Sequence, residues 1–381
     1  MIPYGKQFLD DVDIDDVVGV LKSDFLTQGP KVAEFEQALC SYTGAKYCVV
    51  VSNGTAALHT AVAALNLPEG CEGITSPITF TASANSMAFC RITPRFADID
   101  PETYNIAPDQ IKKDISSGTR LLTPVHFAGQ PAQMESISEI ARLKGLKIIE
   151  DAAHAIGSRY ADGTPVGNCA YSDMTIFSFH PVKTITTGEG GAVTTNDPEL
   201  YKRLQLFRSH GITKDAAVLS QLPGPWYYEM HELGFNYRMT DIQAVLGISQ
   251  LKKLDRFCMR RREIVSRYNE AFAKVKWLKI PVEDLGVKSC FHLYVVQIDF
   301  AAIGKTRKQV MKELYDSGIG TQVHYIPVHL QPWYKKNYGY AKGDLPVAEA
   351  FYERALSLPL FPAMTDEDVA VVINVVRNIS E

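Results

Sequence analysis

One lysine, Lys183, stands in the stretch FSFHPVKTITTGEGG (177–191), between a strand-like aromatic segment and a glycine-rich turn. A lysine is strongly hydrated and usually stays at the surface. Held on a turn beside aromatics, it becomes a candidate for a lowered pKa and so for Schiff-base chemistry. Upstream, Asp151 follows LKII in the stretch EDAAHA. An acid at a strand end is either simply solvated or capping, or it pairs with a protonated ring nitrogen in a dry site. His154, three residues on, could touch the same ligand or serve structure alone. Glu150 should leave the strand on the opposite side, because side chains alternate along extended chain. Ser178 offers a hydroxyl donor. Ser52-Asn53-Gly54-Thr55 opens a helical pattern, where backbone N–H groups face an anion or an ordinary cap closes the helix. Taken together, these groups suit pyridoxal 5'-phosphate (PLP), which needs an amine for its aldehyde, an acid for its ring nitrogen and donors for its phosphate. Phe80, in ITFTA, is either an aromatic lid on that ring or a core residue. A dinucleotide site is disfavoured: TGEGG is not GxGxxG, and it precedes a strand instead of opening a helix.

Such residues need a frame, and the hydrophobic pattern supplies one. Helical and strand-like runs alternate through the first two-thirds of the chain. Helices are expected over 12–24, 31–44, 53–65, 79–90 and 133–144, with Asn53 capping the third. Strands are expected over 46–52, 94–100, 120–129, from residue 146, and as a pair at 174–180 and 191–196 that flanks the lysine turn. This βαβ rhythm implies an α/β fold with a mainly parallel sheet, and in open sheets ligands sit outside the carboxyl ends of strands. The aromatic stretch 224–241 reads as a loop. A long helix over 241–275, kinked near Gly247, then joins a large domain (1–250) to a smaller α+β domain (251–381) with strands at 292–299 and 319–327.

Composition narrows the classes of function. The net charge of -4 leaves no broad basic field for nucleic acid or an anionic membrane. The seven cysteines are dispersed, with no CxxC, which argues against a disulfide framework and a zinc site. No metal is expected. No apolar run is long enough to span a bilayer, and the N-terminus carries no apolar signal core, so a cytoplasmic protein is expected.

The ordered motifs SNGTAAL, PITFTASAN, EDAAHAIG, FSFHPVKTITTGEGG, RSHGI and GFNYRMTD resemble the DegT/DnrJ/EryC1/StrS sugar aminotransferases, which are fold-type I PLP enzymes. The likeness runs through essentially the whole chain. It implies that Lys183 forms the Schiff base, that Asp151 pairs with the pyridinium nitrogen and that His154 sits near the ring hydroxyl. Phe80 would stack on the ring, while Gly54, Thr55 and Ser178 hold the phosphate. Asn236 would reach the phosphate of a neighbouring subunit, giving a homodimer with shared active sites. PYGKQ, DFLTQGP, PVHFAGQP and VHYIPVH further resemble the branch that aminates C4 of a UDP-linked 4-keto-6-deoxy-N-acetyl-hexosamine, with L-glutamate as donor, for pseudaminic acid biosynthesis. On that likeness the substrate contacts are Tyr4, Asp24, Phe25, Leu26, Thr27, Gly54, Ser178, Asn236, His324 and Tyr325. Arg238 would meet the glutamate carboxylate or the sugar diphosphate, or else form an interface salt bridge. Competing readings are another nucleotide-linked keto sugar, a sugar dehydratase of the same fold and a non-enzymatic PLP-binding regulator. The dehydratases carry histidine in place of the lysine.

Overall fold

A computed structural model describes residues 1–380. Thirteen α-helices run in chain order: α1 (Asp11–Leu21), α2 (Pro30–Thr43), α3 (Gly54–Ala64), α4 (Ala82–Phe89), α5 (Pro108–Asp114), α6 (Met134–Lys144), α7 (Pro198–Arg208), α8 (Asp241–Leu251), α9 (Leu254–Phe272), α10 (Arg307–Asp316), α11 (Pro332–Tyr338), α12 (Pro346–Arg354) and α13 (Asp366–Arg377). The strands are β1 (Tyr47–Val51), β2 (Glu72–Thr75), β3 (Thr93–Phe96), β4 (Thr119–Thr123), β5 (Lys147–Asp151), β6 (Met174–Ser178), β7 (Gly191–Thr195), β8 (Ile212–Thr213), β9 (Glu229–Met230), β10 (Leu278–Lys279), β11 (Tyr294–Ile298) and β12 (Ala355–Leu358).

Seven strands form the main sheet in the order β1-β7-β6-β5-β4-β2-β3. The β2, β3, β4, β5 and β6 pairings are parallel, whereas β7 runs antiparallel to both β6 and β1. The exception has a local cause. The β6–β7 connection is the lysine turn, which has no helix to carry the chain back across the sheet, so β7 must return beside β6 in the opposite sense. β6 and β7 are buried along their whole length. That matches the apolar runs from which they were expected.

A second, antiparallel sheet, β10-β11-β12, carries its own core from Ile264 to Ile379. Helix α9 feeds both cores: Leu254, Phe257 and Cys258 pack into the large one, and Ile264, Val265, Tyr268 and Phe272 into the small one.

Two expectations need correction. The helix after 241 breaks at Lys252–Lys253, not near Gly247. Gly247 serves close packing: a Cβ there would lie 2.4 Å from Phe35 Cζ, so α2 and α8 meet through the missing side chain. The segment 319–327 is not a strand. Ile319 pairs with Ile2 and Gln322 with Ser357 as isolated bridges, and the third place in the small sheet goes to β12. This leaves the backbone near His324 and Tyr325 free of a ladder, and the Tyr325 ring turns toward Phe80 and His154.

Candidate active site

The expected site residues collect where β5 and β6 end. Asp151 is the last residue of β5, Ser178 the last of β6, and Lys183 lies on the turn that follows. Asp151 is buried. Its Oδ2 accepts from Ser83 Oγ at 2.6 Å and its Oδ1 from the Ala153 amide at 3.1 Å. Ser83 is in turn bonded to Thr79 Oγ1 at 2.7 Å. The sequence reading assigned Ser83 no role, although it lies within PITFTASAN, because it stands 68 residues from its partner.

Lys183 keeps partial exposure, but the surrounding protein lowers its pKa to about 8; burial is the cause, and the Asp151 carboxylate pulls the other way. At that value a usable share of the amine is uncharged near neutral pH, as nucleophilic or base chemistry requires.

Asn53 caps α3 by accepting from the Ala56 amide at 2.8 Å. The amides of Gly54 and Thr55 belong to the first helical turn, which no intrahelical carbonyl can reach, and they carry the positive end of the helix dipole. A Cβ on Gly54 would lie 2.8 Å from Ser178 Cβ and 2.9 Å from Ser178 Oγ. Glycine therefore lets the strand-end hydroxyl sit against the helix start, and both donors face one place. Thr55 is exposed there.

His154 is buried. Its Nδ1 lies 3.3 Å from the Ala128 amide and its Nε2 lies 3.1 Å from the Tyr325 hydroxyl. Burial, then the Lys183 and His324 charges, hold its pKa well below the ordinary value. His324 packs on Tyr4 with ring centres 5.5 Å apart, and burial takes its pKa down to about 3. His292, which the sequence reading passed over as part of a strand, lies tilted against His154 with ring centres 4.4 Å apart and its Nδ1 buried and unpaired. Phe80 is 61% exposed, near Tyr325, so its ring is not a core residue and its face is free.

Glu150, as the alternation required, points away. It is fully buried on the other side of β5.

The expected residues of the 24–27 segment lie on the surface beside the start of α8. Asp24, Phe25, Leu26 and Thr27 are all exposed. They are tied to the start of α8, where the Leu26 carbonyl accepts from Asp241 and Thr27 bridges Thr240. Arg238 bridges Val51, and the Tyr237 carbonyl accepts from Ser52 at 2.8 Å, so this strip borders the α3 anion end. Asn236 is exposed, with its backbone bridged to Ser209.

A buried carboxylate, an amine of lowered pKa, a hydroxyl beside a helix start and one open aromatic face fit a planar phosphate-bearing ring with a protonated nitrogen. Among the described residues no cluster of metal-binding side chains occurs, and no helix is long and apolar enough to cross a membrane.

A model of the DegT/DnrJ/EryC1/StrS aminotransferase family matches residues 8–377. The spore coat polysaccharide biosynthesis protein SpsC of Bacillus subtilis is 42% identical over 380 residues, covering 99% of this chain and 97% of that one. The UDP-4-amino-4,6-dideoxy-N-acetyl-beta-L-altrosamine transaminase of Campylobacter jejuni is 39% identical, covering 100% and 98%. Among solved structures, Helicobacter pylori PseC, an aminotransferase of pseudaminic acid biosynthesis, superposes with a TM-score of 0.92 at 33% identity, covering 99% and 98%. A Streptococcus pneumoniae sugar aminotransferase in its PLP form gives 0.91 at 31%, covering 100% and 98%.

Proposed function

We propose, from the premise that this chain belongs to the DegT/DnrJ/EryC1/StrS aminotransferase family and is a PLP-dependent sugar aminotransferase, that it aminates C4 of a UDP-linked 4-keto-6-deoxy-N-acetyl-hexosamine. The product would be UDP-4-amino-4,6-dideoxy-N-acetyl-beta-L-altrosamine, a precursor of pseudaminic acid, with L-glutamate as the amino donor. The observation that carries the chemistry is the buried Asp151 facing a lysine whose pKa falls to about 8. The likeness to the Campylobacter and Helicobacter proteins supports the sugar. SpsC, at 42%, favours a second reading in which another nucleotide-linked keto sugar is the acceptor.

When bound, PLP supplies the aldehyde that takes up the amine and the ring that accepts the electron pair. Lys183 would hold this aldehyde and, as a free amine, would carry the proton to and from the substrate α-carbon. Asp151, fixed by Ser83 and the Ala153 amide, would keep the ring-nitrogen proton in place. Gly54, Thr55 and Ser178 would bind the phosphate, Phe80 would cover one ring face, and His154 would stand near the ring hydroxyl. Tyr4, residues 24–27, His324, Tyr325, Asn236 and Arg238 bind substrate.

Asn236 would complete the site of a second copy. In support, Trp226, Tyr228, Met230, Leu233 and Phe235 leave large apolar side chains exposed on the same loop, up to 80% for Leu233. A homodimer with two shared sites covers them. We take 1–250 as the PLP-binding domain and 251–381 as the small domain, and place the reaction in the cytoplasm, where the seven free cysteines stay reduced.

The experiment is direct. Purified protein is offered a panel of UDP- and dTDP-linked 3- and 4-keto sugars with glutamate, and the aminated product is identified. Turnover of only dTDP-linked or 3-keto sugars would sink the proposed acceptor and leave the amine-transfer chemistry standing.

A further inference from the structure

We propose that Tyr325 donates its hydroxyl proton to an oxygen of the bound ligand, held in that donating sense by a chain that runs from the Ala128 amide through His154. The proposal rests on the PLP reading for the identity of the ligand, but its directional logic comes from the protein alone.

A backbone amide can only donate. The Ala128 N–H points at His154 Nδ1 at 3.3 Å, so that nitrogen must present its lone pair. The neutral ring then carries its proton on Nε2. Nε2 faces the Tyr325 hydroxyl at 3.1 Å, and in this tautomer the histidine donates and the tyrosine oxygen accepts. The opposite tautomer would set two N–H groups against each other at Ala128. With its oxygen engaged by His154, Tyr325 must send its own proton elsewhere. Among the described residues none accepts it.

The aim of the first donor is fixed. Ala128 adopts φ 57, a conformation alanine seldom takes, within a turn braced by Phe127 N–H to Asn105 Oδ1 at 2.9 Å and Leu293 N–H to the Ala128 carbonyl at 3.3 Å. Burial, then the Lys183 charge, favours the neutral ring, and the His292 ring lies tilted against it. Burial, with the nearby charges of Asp151 and Tyr4, drives the Tyr325 pKa upward, so the hydroxyl stays protonated and able to donate. Its ring lies 6.5 Å from both Phe80 and Phe127, which puts the hydroxyl beside the expected cofactor pocket.

The acceptor is an oxygen that bears negative charge or a carbonyl dipole. Two sources share that chemistry, the ring oxygen of the cofactor and an oxygen of the keto sugar. Tyr325 is then a ligand-binding residue and His154 the positioning residue behind it.

The test has three arms. Histidine-selective 15N NMR on the apoprotein, with the His154 signal assigned by its loss in His154→Gln, should show a neutral ring protonated at Nε2. A proton on Nδ1 overturns the chain, and this arm needs neither cofactor nor sugar, so it survives failure of the proposed function. In the holoenzyme Tyr325→Phe, loss of a donor to the cofactor oxygen should raise the pKa of the visible absorbance by about one unit. Donation to the sugar should instead leave that titration unchanged and raise KM about tenfold with kcat little altered. Either result supports the proposal. If neither the absorbance titration nor KM moves, Tyr325 donates to no ligand oxygen and the proposal fails.

Discussion

Glu150 and Asp151 are consecutive carboxylates on β5 that leave the sheet on opposite faces. Glu150 accepts from Tyr160 and Ser172 at 2.5 Å each, from His126 at 2.8 Å and from Thr175 at 3.1 Å, in a sealed environment. Asp151 faces the lysine pocket with two donors. One strand thereby carries a carboxylate locked by four donors on one side and a carboxylate open to the lysine turn on the other.

Replacement of Glu150 by Gln puts an amide NH2 against donors and should cost about 2–4 kcal/mol of stability at neutral pH, measured by denaturant unfolding. Burial alone would raise the Glu150 pKa, but the hydrogen bonds from His126, Ser172 and Tyr160 outweigh it, and the folded value lies below the ordinary one. The associated stability is therefore present above the unfolded carboxyl pKa and lost as pH falls through the folded value. The gap between wild type and Glu150→Gln should narrow below about pH 4. A gap that stays constant into acid would contradict a charged Glu150.

Lys183 of the apoprotein should react with an amine-specific label along a pH curve centred near 8. Asp151→Asn removes the one neighbour that raises this pKa, so the curve should move to lower pH. Peptide mass spectrometry reads the labelling. A midpoint near the ordinary lysine value of about 10.4 would dispose of the idea that burial primes the amine.

Lys183→Ala should abolish turnover and the visible absorbance of covalently held cofactor. Borohydride treatment of the wild-type holoprotein should leave the pyridoxyl label on Lys183 alone. A label on another lysine would reassign the chemistry.

Gly54→Ala places a methyl 2.8 Å from Ser178 Cβ, and one of the two chains must give way. Since both would hold the phosphate, PLP affinity should fall at least tenfold, an effect of about 1.4 kcal/mol, while the apoprotein stays folded. Equilibrium dialysis with PLP measures it, and unchanged affinity would remove this pair from the phosphate site.

Lys183→Ala and Asn236→Ala chains should each be inactive as homodimers. When the two are mixed and allowed to exchange, half the dimers are mixed and each holds one intact site, so about a quarter of wild-type activity should appear. No recovery in dimers shown by native mass spectrometry to be mixed would mean that Asn236 serves its own chain.

Much of this protein could be read along the chain, because the signals are local. Apolar runs such as KYCVVVS and MTIFSFH gave strands in place, Asn53 gave its cap, and the sequence order of Asp151, Ser178 and Lys183 gave a plausible cofactor set at strand ends. A lysine between an aromatic strand and a glycine turn already indicated the chemistry. What the chain could not disclose were pairings that have no local cause. Ser83 finds Asp151 only when the start of α4 meets the end of β5, and His292 meets His154 only when the approach to β11 packs against the residues after β5. The 319–327 segment looked like a strand by composition, yet β12 took its place in the sheet, because register and edge are decided by competition among distant segments. The lowered pKa of Lys183 is likewise a property of enclosure: no residue type sets it, only the walls that the folded chain builds around the amine.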